Sequence, residues 1–302
     1  MGMWPAIQSL LTSSTSTDGI RSAALWIVGT AAQNNPSAQN AVSTKSSNTV
    51  SNYIDNVQYL SLPNSPIRRV LSLLSSNESS SATRSKAVYA LSGLLKHNAR
   101  GVTLLEENGG WQILKDALGG EQVLSLFEDH INSTTTRPSP DPDITVRRKV
   151  VFLLNALLIS TDSSTTTSQP SSARLHGGGV SEPSTESQAA HPNSHASMTV
   201  ESAATAPIAL RALHDHDFIP NLVQGLVNPI PHGANGDQEG DADFEEKLIR
   251  LLHTYFTSFS GSGAIRDDEK TELRAWIEKR SREGEQWDLG KEELQSLQSA
   301  LT

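Results

Sequence analysis

Hydrophobic residues recur every three or four positions over much of the chain, and this periodicity predicts amphipathic α-helices. Three segments resemble one another: IRSAALWIVGTAAQNNPSAQ (20–39), TRSKAVYALSGLLKHNARGV (83–102) and VRRKVVFLLNALLIST (146–161). Arg21, Arg84 and Arg147 stand near the start of these segments at equal intervals. A fourth copy, KLIRLLHTYF (247–256), aligns with KVVFLLNALL (149–158) at its Lys and its Leu-Leu pair. This recurrence predicts a repeat protein in which each long helix stacks on the next.

Shorter helical segments lie between the long ones, and Gly or Pro separates them. The segment RGVTLLEENGGWQILKDALGG (100–120) predicts two helices with a break at Gly109 and Gly110. ALHDHDFIPNLVQGLVNP (212–229) predicts a second pair, with Pro as the break. No alternating pattern typical of strands competes with these helices. We therefore predict an all-α solenoid whose units contain a short helix, a second helix and a long helix.

The chain divides by composition into repeats, an insertion and a tail. Residues 160–206 consist mostly of Ser, Thr, Pro, Gly, Ala and His, too few of them apolar to offset the entropy of ordering, so we predict a disordered insertion. Shorter polar insertions interrupt the other repeats. The predicted division is 1–159 for repeats of which the first is incomplete, 160–206 for the insertion, 207–260 for the last repeat, and 261–302 for a polar helical tail or cap. In that tail, Trp276 and Ile277 are expected to dock back on the repeats.

Each long helix has an apolar side and a mixed side when its residues are placed at about 100° intervals. The predicted core positions are Ile20, Ala24, Ile27, Val28 and Ala31 in the first helix, Ala87, Ala90, Leu91, Leu94 and Leu95 in the second, and Val150, Leu153, Leu154, Leu157 and Leu158 in the third. The opposite sides align between repeats as three rows. The rows are Trp26, Tyr89, Phe152 and Arg250; Ala23, Lys86, Lys149 and Lys247; and Gly29, Ser92, Asn155 and His253.

Three aromatic rings at equivalent positions on a mixed face have two interpretations. In the first they form a protein-binding surface, where the rings supply area and the neighbouring lysines complement an acidic partner. In the second they pack against neighbouring helices or beneath the insertions, which is the commoner fate of an aromatic residue. The lysine row alone is typical of a solvated helix face. Only the recurrence of the rings with polar companions favours the binding surface.

Composition and charge exclude several classes of protein. The 302 residues contain no cysteine, so disulfides, thiolate nucleophiles and thiolate metal sites are absent. The net charge of −9 makes nucleic acid an improbable general partner, and no run of eighteen apolar residues predicts a membrane span. The start MGMWPAIQSLL has none of the features of a signal peptide. We therefore expect a cytoplasmic protein that binds neither nucleic acid nor membrane.

No motif predicts catalysis or a cofactor. The HDHDF segment (214–218) places imidazoles beside carboxylates, but it lies at a helix start, where Asp commonly serves as a cap, and no further ligands accompany it. The GGG tract (177–179) has no preceding strand and no following Lys-Ser/Thr, so it is not a phosphate loop. No spacing indicates a catalytic triad or a pair of catalytic carboxylates. We expect a non-enzymatic protein without metal or cofactor.

Several of these segments resemble a known family. GMWPAIQSLL, IRSAALWIVGTAAQNNPSAQ, SKAVYALSGLLKHN and RRKVVFLLNALL look like the armadillo-type nucleotide exchange factors of heat-shock-seventy (DnaK-type) chaperones, the fungal Fes proteins and their animal relative, the Hsp-binding protein. The likeness covers roughly residues 3–160, and 207–260 more loosely. Its most specific part is the tract from Ala23 to Pro36; the other segments alone indicate only an armadillo or HEAT repeat.

The resemblance implies an armadillo-like solenoid whose concave side binds one lobe of the chaperone's ATPase domain. Such binding favours an opened nucleotide cleft, so that ADP leaves. The third helix of each repeat lines that side, and it is also the helix that bears the aligned rows. The implied contact residues are Trp26, Thr30, Gln33, Asn34, Lys86, Tyr89, Lys149 and Phe152. For Asn34 and Asn35, capping of a helix end before Pro36 is an alternative role.

The sequence departs from the family in two ways. Fes-type proteins carry a further N-terminal segment before the GMWP tract, which Met1 adjoins here, so we expect that segment to be missing. The second departure is the long insertion at 160–206.

We expect a monomer that acts as a nucleotide exchange factor. The alternative is an armadillo-repeat scaffold or adaptor that binds other proteins, since the two differ in partner and share a fold.

Overall fold

The computed structural model of the protein describes most of the chain outside its Ser-rich stretches. The described residues are 4–33, 35, 39, 66–75, 79–119, 143–159, 204–233, 240–258, 265–285 and 287–302. They form twelve helices: α1 Trp4–Thr12, α2 Asp18–Ala32, α3 Pro66–Ser75, α4 Ser81–Leu95, α5 Ala99–Glu107, α6 Gly110–Asp116, α7 Ile144–Leu158, α8 Ala206–Asp215, α9 Phe218–Val227, α10 Ala242–Ser258, α11 Asp267–Arg282 and α12 Lys291–Ala300.

The four long helices pack in the order of the sequence. Helix α2 packs on α4, α4 on α7, and α7 on α10, while α12 covers the far side of α10. The shorter helices flank this series: α1 contacts α2, α3 contacts α4, and α8 contacts α7. The helices α8, α9 and α10 follow one another as the predicted short, second and long helix. The all-α, armadillo-like solenoid is thereby confirmed for the described residues.

The buried sides of α4 and α7 are those that the periodicity predicts. All ten predicted core residues of these two helices are buried, and none exceeds 1% exposure. Each fully buried Leu side chain contributes about 1.5–3 kcal/mol relative to an exposed one. One hydrophobic core runs continuously from α1 to α12. Burial between successive helices therefore supplies the force that stacks them.

The predicted core of α2 is wrong at two positions. Ala24 and Val28 are buried and Ala31 is half-buried, but Ile20 and Ile27 are 41% and 37% exposed, and Leu25 is fully buried instead. Among the described residues, α2 packs on α1 and α4, so its buried stripe turns toward those two helices. A helix with neighbours on only some of its sides leaves part of its apolar surface outside the core.

The starts of the long helices are tied to one another by capping residues. The hydroxyl of Thr17 accepts from the N–H of Ile20, and that of Ser80 accepts from the N–H of Thr83, which caps α2 and α4. The Ser80 hydroxyl also donates to the carboxylate of Asp18. Burial favours the neutral form of Asp18, but the hydrogen bonds from Ser80 and Thr83 outweigh it and lower its pKa.

The arginines that recur at equal intervals are structural. The guanidinium groups of Arg21, Arg84 and Arg147 each donate to a backbone carbonyl near the end of a shorter helix. The acceptors are the carbonyl oxygens of Ser13, Leu74 and Ile230, at 3.3, 3.0 and 3.4 Å. Leu74 lies in the last turn of α3, where carbonyls lack partners inside the helix, while Ser13 and Ile230 lie just after α1 and α9. The regular spacing of these arginines in the sequence thus reflects a bond repeated between long and short helices.

A second arginine of α7 holds the start of α10. The guanidinium of Arg148 binds both carboxylate oxygens of Asp241, one of them at 2.7 Å. The same carboxylate caps α10 by accepting from the N–H of Phe244 at 2.8 Å. Burial favours the neutral form of Asp241, but the bonds from Arg148 and Phe244 outweigh it and keep its pKa below the ordinary value.

The C-terminal segment docks on the repeats as predicted. Ile277 on α11 is fully buried, and the Trp276 ring packs against the core. The ring of Trp287, which is 5% exposed, stacks on that of Trp276 with the ring centres 5.6 Å apart. These contacts and the packing of α12 on α10 close the end of the stack.

The helix ends lie close to the proposed segment boundaries. Helix α7 ends at Leu158, α8 begins at Ala206, and α10 ends at Ser258. The predicted disordered insertion lies outside the described residues except for 204–206, and so do most of the shorter polar insertions. None of the helices described here is long and apolar enough to cross a membrane.

Candidate functional site

Two of the three predicted contact rings are largely exposed. The side chain of Trp26 on α2 is 52% exposed, and that of Phe152 on α7 is 55% exposed. Thr30 lies one turn after Trp26 on the same face, and Lys149 lies one turn before Phe152. Neither ring is therefore packed in the core of the described helices, and packing beneath the insertions concerns residues outside the described ones. Tyr89, in contrast, packs against the neighbouring helix α2, as the second interpretation has it. We use the name exposed row for seven residues of α2, α4 and α7, which are Trp26, Thr30, Gln33, Lys86, Tyr89, Lys149 and Phe152.

Tyr89 links α4 to α2 in the middle of the exposed row. Its ring is half-buried and lies directly over Gly29, where an added Cβ would come within 2.6 Å of two ring carbons. Its hydroxyl donates to Oε1 of Gln33 at 3.3 Å and lies 3.3 Å from the hydroxyl of Thr30. The position of the ring fixes three of the predicted residues relative to one another.

The close approach of α2 and α4 depends on a second glycine, which the sequence reasoning missed. A Cβ on Gly93 would come within 2.4 Å of the carbonyl oxygen of Gly29, so the two backbones nearly touch. Gly29 was predicted to belong to one of the surface rows, but it is buried at this crossing. A glycine on each of two helices expected to stack was the available signal.

The two lysines of the exposed row lie near each other on α4 and α7. The ammonium of Lys86 is 5.8 Å from the centre of the Tyr89 ring, within cation–π range. Lys149 is half-buried; burial lowers the pKa of its ammonium, and the charge of Lys86 lowers it further. Within the described part of the chain, neither ammonium forms an ion pair with a carboxylate. The middle of the exposed row is therefore positively charged.

The fourth copy of the rows differs from the other three, because its cations have partners inside the chain. Lys247 pairs with Asp243, one turn earlier on α10. Arg250 donates to the carboxylate of Asp288 at 2.6 Å and to its carbonyl at 2.8 Å, and it also contacts Glu246. The C-terminal turn before α12 thus covers the position that Trp26, Tyr89 and Phe152 occupy on the other helices.

Two residues with amide side chains, Asn34 and Gln39, follow α2 in the sequence. Asn34 lies outside the described residues, so its predicted role as a contact is not addressed. Gln39 is 3% exposed, and its amide donates to the carbonyls of Gly93 and Lys96, both at 2.9 Å. Gln39 therefore caps the C-terminus of α4.

The HDHDF segment makes structural contacts: Lys115 donates to the carbonyl of His216 at 2.7 Å, and the Phe218 ring packs edge-on against that of Trp111. Nδ1 of His214 lies 3.1 Å from the carboxylate of its neighbour Asp215. Across the described ranges, no group of three or more His, Asp and Glu residues is placed to hold a metal ion. The exposed row is consequently the candidate site, and its chemistry is that of aromatic rings, hydroxyls, an amide and two ammonium groups.

The sequence is similar to three fungal proteins with the same name. It is 32% identical over 276 residues to the "Hsp70 nucleotide exchange factor FES1" of Mycosarcoma maydis, which is 87% of this chain and 59% of that protein. The proteins of that name from Eremothecium gossypii and Schizosaccharomyces pombe are 30% and 27% identical over 52% and 54% of this chain. These matches span 49% and 42% of the two relatives.

The solved structures that align with this chain are more distant. An engineered protein aligns over 100% of this chain and 99% of its own with a TM-score of 0.45 and 13% identity. A designed armadillo repeat protein aligns over 99% of both chains with a TM-score of 0.39 and 12% identity. No model of a known protein family matches the sequence.

The relatives extend well beyond the matched region, because the chain spans 59% of the length of one and less than half of the other two. The match to the Mycosarcoma maydis protein nevertheless runs over 87% of this chain. These matches confirm the resemblance to the Fes family of Hsp70 nucleotide exchange factors.

Proposed function

We propose that this protein is a nucleotide exchange factor, which binds the ATPase domain of an Hsp70 chaperone through the exposed row and promotes the release of ADP. The observation that carries the proposal is the exposure of Trp26 on α2 and of Phe152 on α7, two helices that both pack on α4, the helix that bears Lys86. Aromatic rings around a charged centre are typical of the residues that dominate protein interfaces. The names of the three fungal relatives supply the identity of the partner.

The electrostatics support a protein partner with acidic groups. The chain carries a net charge of −9, yet the middle of the exposed row presents two ammonium groups that no carboxylate of the described residues neutralises. Complementary charge speeds the encounter of two proteins and fixes their orientation more than it raises affinity. The exposed rings of Trp26 and Phe152 would supply the buried area of the interface.

Exchange by this route needs no catalytic residue in the factor. A protein that binds the open form of a nucleotide cleft more tightly than the closed form shifts the chaperone toward the open form. By linkage, the same preference weakens the binding of ADP by an equal factor. Coupling energies of this kind are about 1–3 kcal/mol, which corresponds to a change in affinity of roughly 5- to 150-fold.

Stopped-flow release of a fluorescent ADP analogue from a fungal Hsp70 tests the proposal. Micromolar wild-type protein is expected to accelerate release, and the acceleration should fall strongly in a Trp26→Ala/Phe152→Ala variant. Both rings are exposed, so the helical circular dichroism of the variant should match that of the wild type. Ile159→Ala is the matched control, because it removes a 55% exposed apolar side chain just after α7 and outside the exposed row.

Two results would contradict the proposal in different ways. If the wild-type protein binds the ATPase domain without changing ADP release, the chain is an armadillo scaffold instead. If release is accelerated equally by the double variant, another surface makes the contact. The proposal includes a cytoplasmic location and a monomeric factor, which cell fractionation and light scattering test separately.

A further inference from the structure

Lys86 and Lys149 differ from the equivalent lysine of the fourth repeat in one respect. Lys247 has Asp243 four residues before it, and the two side chains form an ion pair on the surface of α10. The residues four before Lys86 and Lys149 are Ala82 and Thr145, which carry no charge. The fourth repeat therefore neutralises its own lysine. The second and third repeats do not.

The arrangement of the two lysines is unfavourable in the isolated chain. Both side chains are half-buried, and they lie on α4 and α7, which pack directly against each other. Burial lowers the pKa of the Lys149 ammonium, and the like charge of Lys86 lowers it further. The chain carries a net charge of −9, yet none of the described carboxylates forms an ion pair with Lys86 or Lys149. An external anion bound to both ammonium groups would relieve their repulsion.

The surroundings of the pair indicate which kind of anion fits. The Tyr89 ring lies beside Lys86, and the exposed Phe152 ring lies one turn from Lys149 on α7. Aromatic walls beside a cationic centre suit the carboxylate of an acidic side chain whose neighbours are apolar. The fourth repeat contains such a contact inside the chain, because the Asp288 carboxylate binds Arg250 at 2.6 Å at the position equivalent to Tyr89 and Phe152.

We propose that Lys86 and Lys149 together bind one carboxylate side chain of the partner protein, an Asp or Glu that lies between the Tyr89 and Phe152 rings. This inference rests on the proposed function, because the partner is the chaperone's ATPase domain. The ammonium groups donate to the two carboxylate oxygens. Their mutual repulsion is relieved when the anion arrives, so this contact forms only in the complex.

Affinity measurements with the two lysines neutralised test the inference. The ATPase domain of a fungal Hsp70 is titrated into the full chain and into Lys86→Gln and Lys149→Gln variants at low and high salt. Each substitution removes one charge-assisted hydrogen bond, so we expect each to weaken binding about tenfold and to reduce the salt dependence. Lys291→Gln at the start of α12 is the control, and it should bind as the wild type does. Circular dichroism is expected to show intact helices in all variants.

Cross-linking tests whether the two lysines share one carboxylate. A water-soluble carbodiimide joins an ammonium to a carboxylate that contacts it, and mass spectrometry of the complex identifies both residues. We expect Lys86 and Lys149 to be joined to the same acidic residue of the ATPase domain. Links from either lysine to different acidic residues only, or to none, would overturn the shared contact.

The outcomes separate this inference from the function on which it rests. If the wild-type chain does not bind the ATPase domain, the proposed function fails and the inference fails with it. If the wild-type chain binds and both Gln variants bind equally well with the same salt dependence, the function stands and the lysine pair has no role in it.

Discussion

The crossing of α2 and α4 gives a quantitative prediction for Gly93→Ala. A Cβ at this position would lie 2.4 Å from the carbonyl oxygen of Gly29 and 3.0 Å from its Cα. Both atoms belong to the backbone of α2, so no side-chain rotation relieves the overlap. The helices would have to move apart along the part of their interface that carries Tyr89.

The expected cost follows from two opposing effects. Overpacking a well-packed interior by one methyl group costs about 1–3 kcal/mol. Replacing a helical Gly by Ala returns up to about 1 kcal/mol through helix propensity. Because the overlap here is with backbone, we expect the upper part of the first range and a net destabilisation of about 1–2 kcal/mol.

Urea unfolding followed by circular dichroism measures this difference, and Gly225→Ala is the matched control. Gly225 also lies inside a helix, α9, but a Cβ there would meet no atom within 4 Å. The control should gain up to about 1 kcal/mol of stability, since only the propensity term applies. A Gly93→Ala variant that is stabilised as much as the control would refute the close contact between α2 and α4.

Three further predictions concern the surface, an ion pair and a cap. Replacing Trp26 or Phe152 singly by Ala should weaken partner binding by at least tenfold while the free energy of unfolding changes by less than about 0.5 kcal/mol, as titration and urea unfolding would reveal. Arg148→Ala should cost about 1–2 kcal/mol at neutral pH. Because the pKa of Asp241 is lowered in the folded state, the stabilisation is complete above its unfolded value of about 3.9. The deficit of the variant should therefore shrink as the pH falls through the lower folded value, and urea midpoints against pH would show whether it does. Gln39→Leu should cost about 1–3 kcal/mol, since it leaves two carbonyls at the end of α4 without their donor; an unchanged midpoint would exclude the cap.

The periodicity of the sequence predicted the buried positions best in those long helices that have neighbours on both sides. In α4 and α7 the apolar stripe is broad, and the packed helices on either side bury all of it. In α2 the same reasoning failed for Ile20 and Ile27. A helical period gives the direction of the stripe, whereas the neighbouring helices decide which edge of it is covered.

The exposed row was predictable as a set of residues but not as a geometry. The alignment of repeats placed Trp26 and Phe152 correctly outside the core. It gave no sign that Tyr89 lies over Gly29, since that contact joins residues far apart in the sequence and depends on a missing side chain. Nor did it predict that the Arg250 position is covered, because Asp288 reaches it from the C-terminal turn.

Hydroxyl-radical footprinting tests most directly whether the exposed row is the surface that binds the chaperone. Oxidation of side chains is measured by mass spectrometry in the free chain and in its complex with the Hsp70 ATPase domain. We predict that oxidation of Trp26 and Phe152 slows markedly in the complex, while that of Leu10, which is 43% exposed on α1, stays the same. Unchanged oxidation of both rings in a fully formed complex would contradict the account.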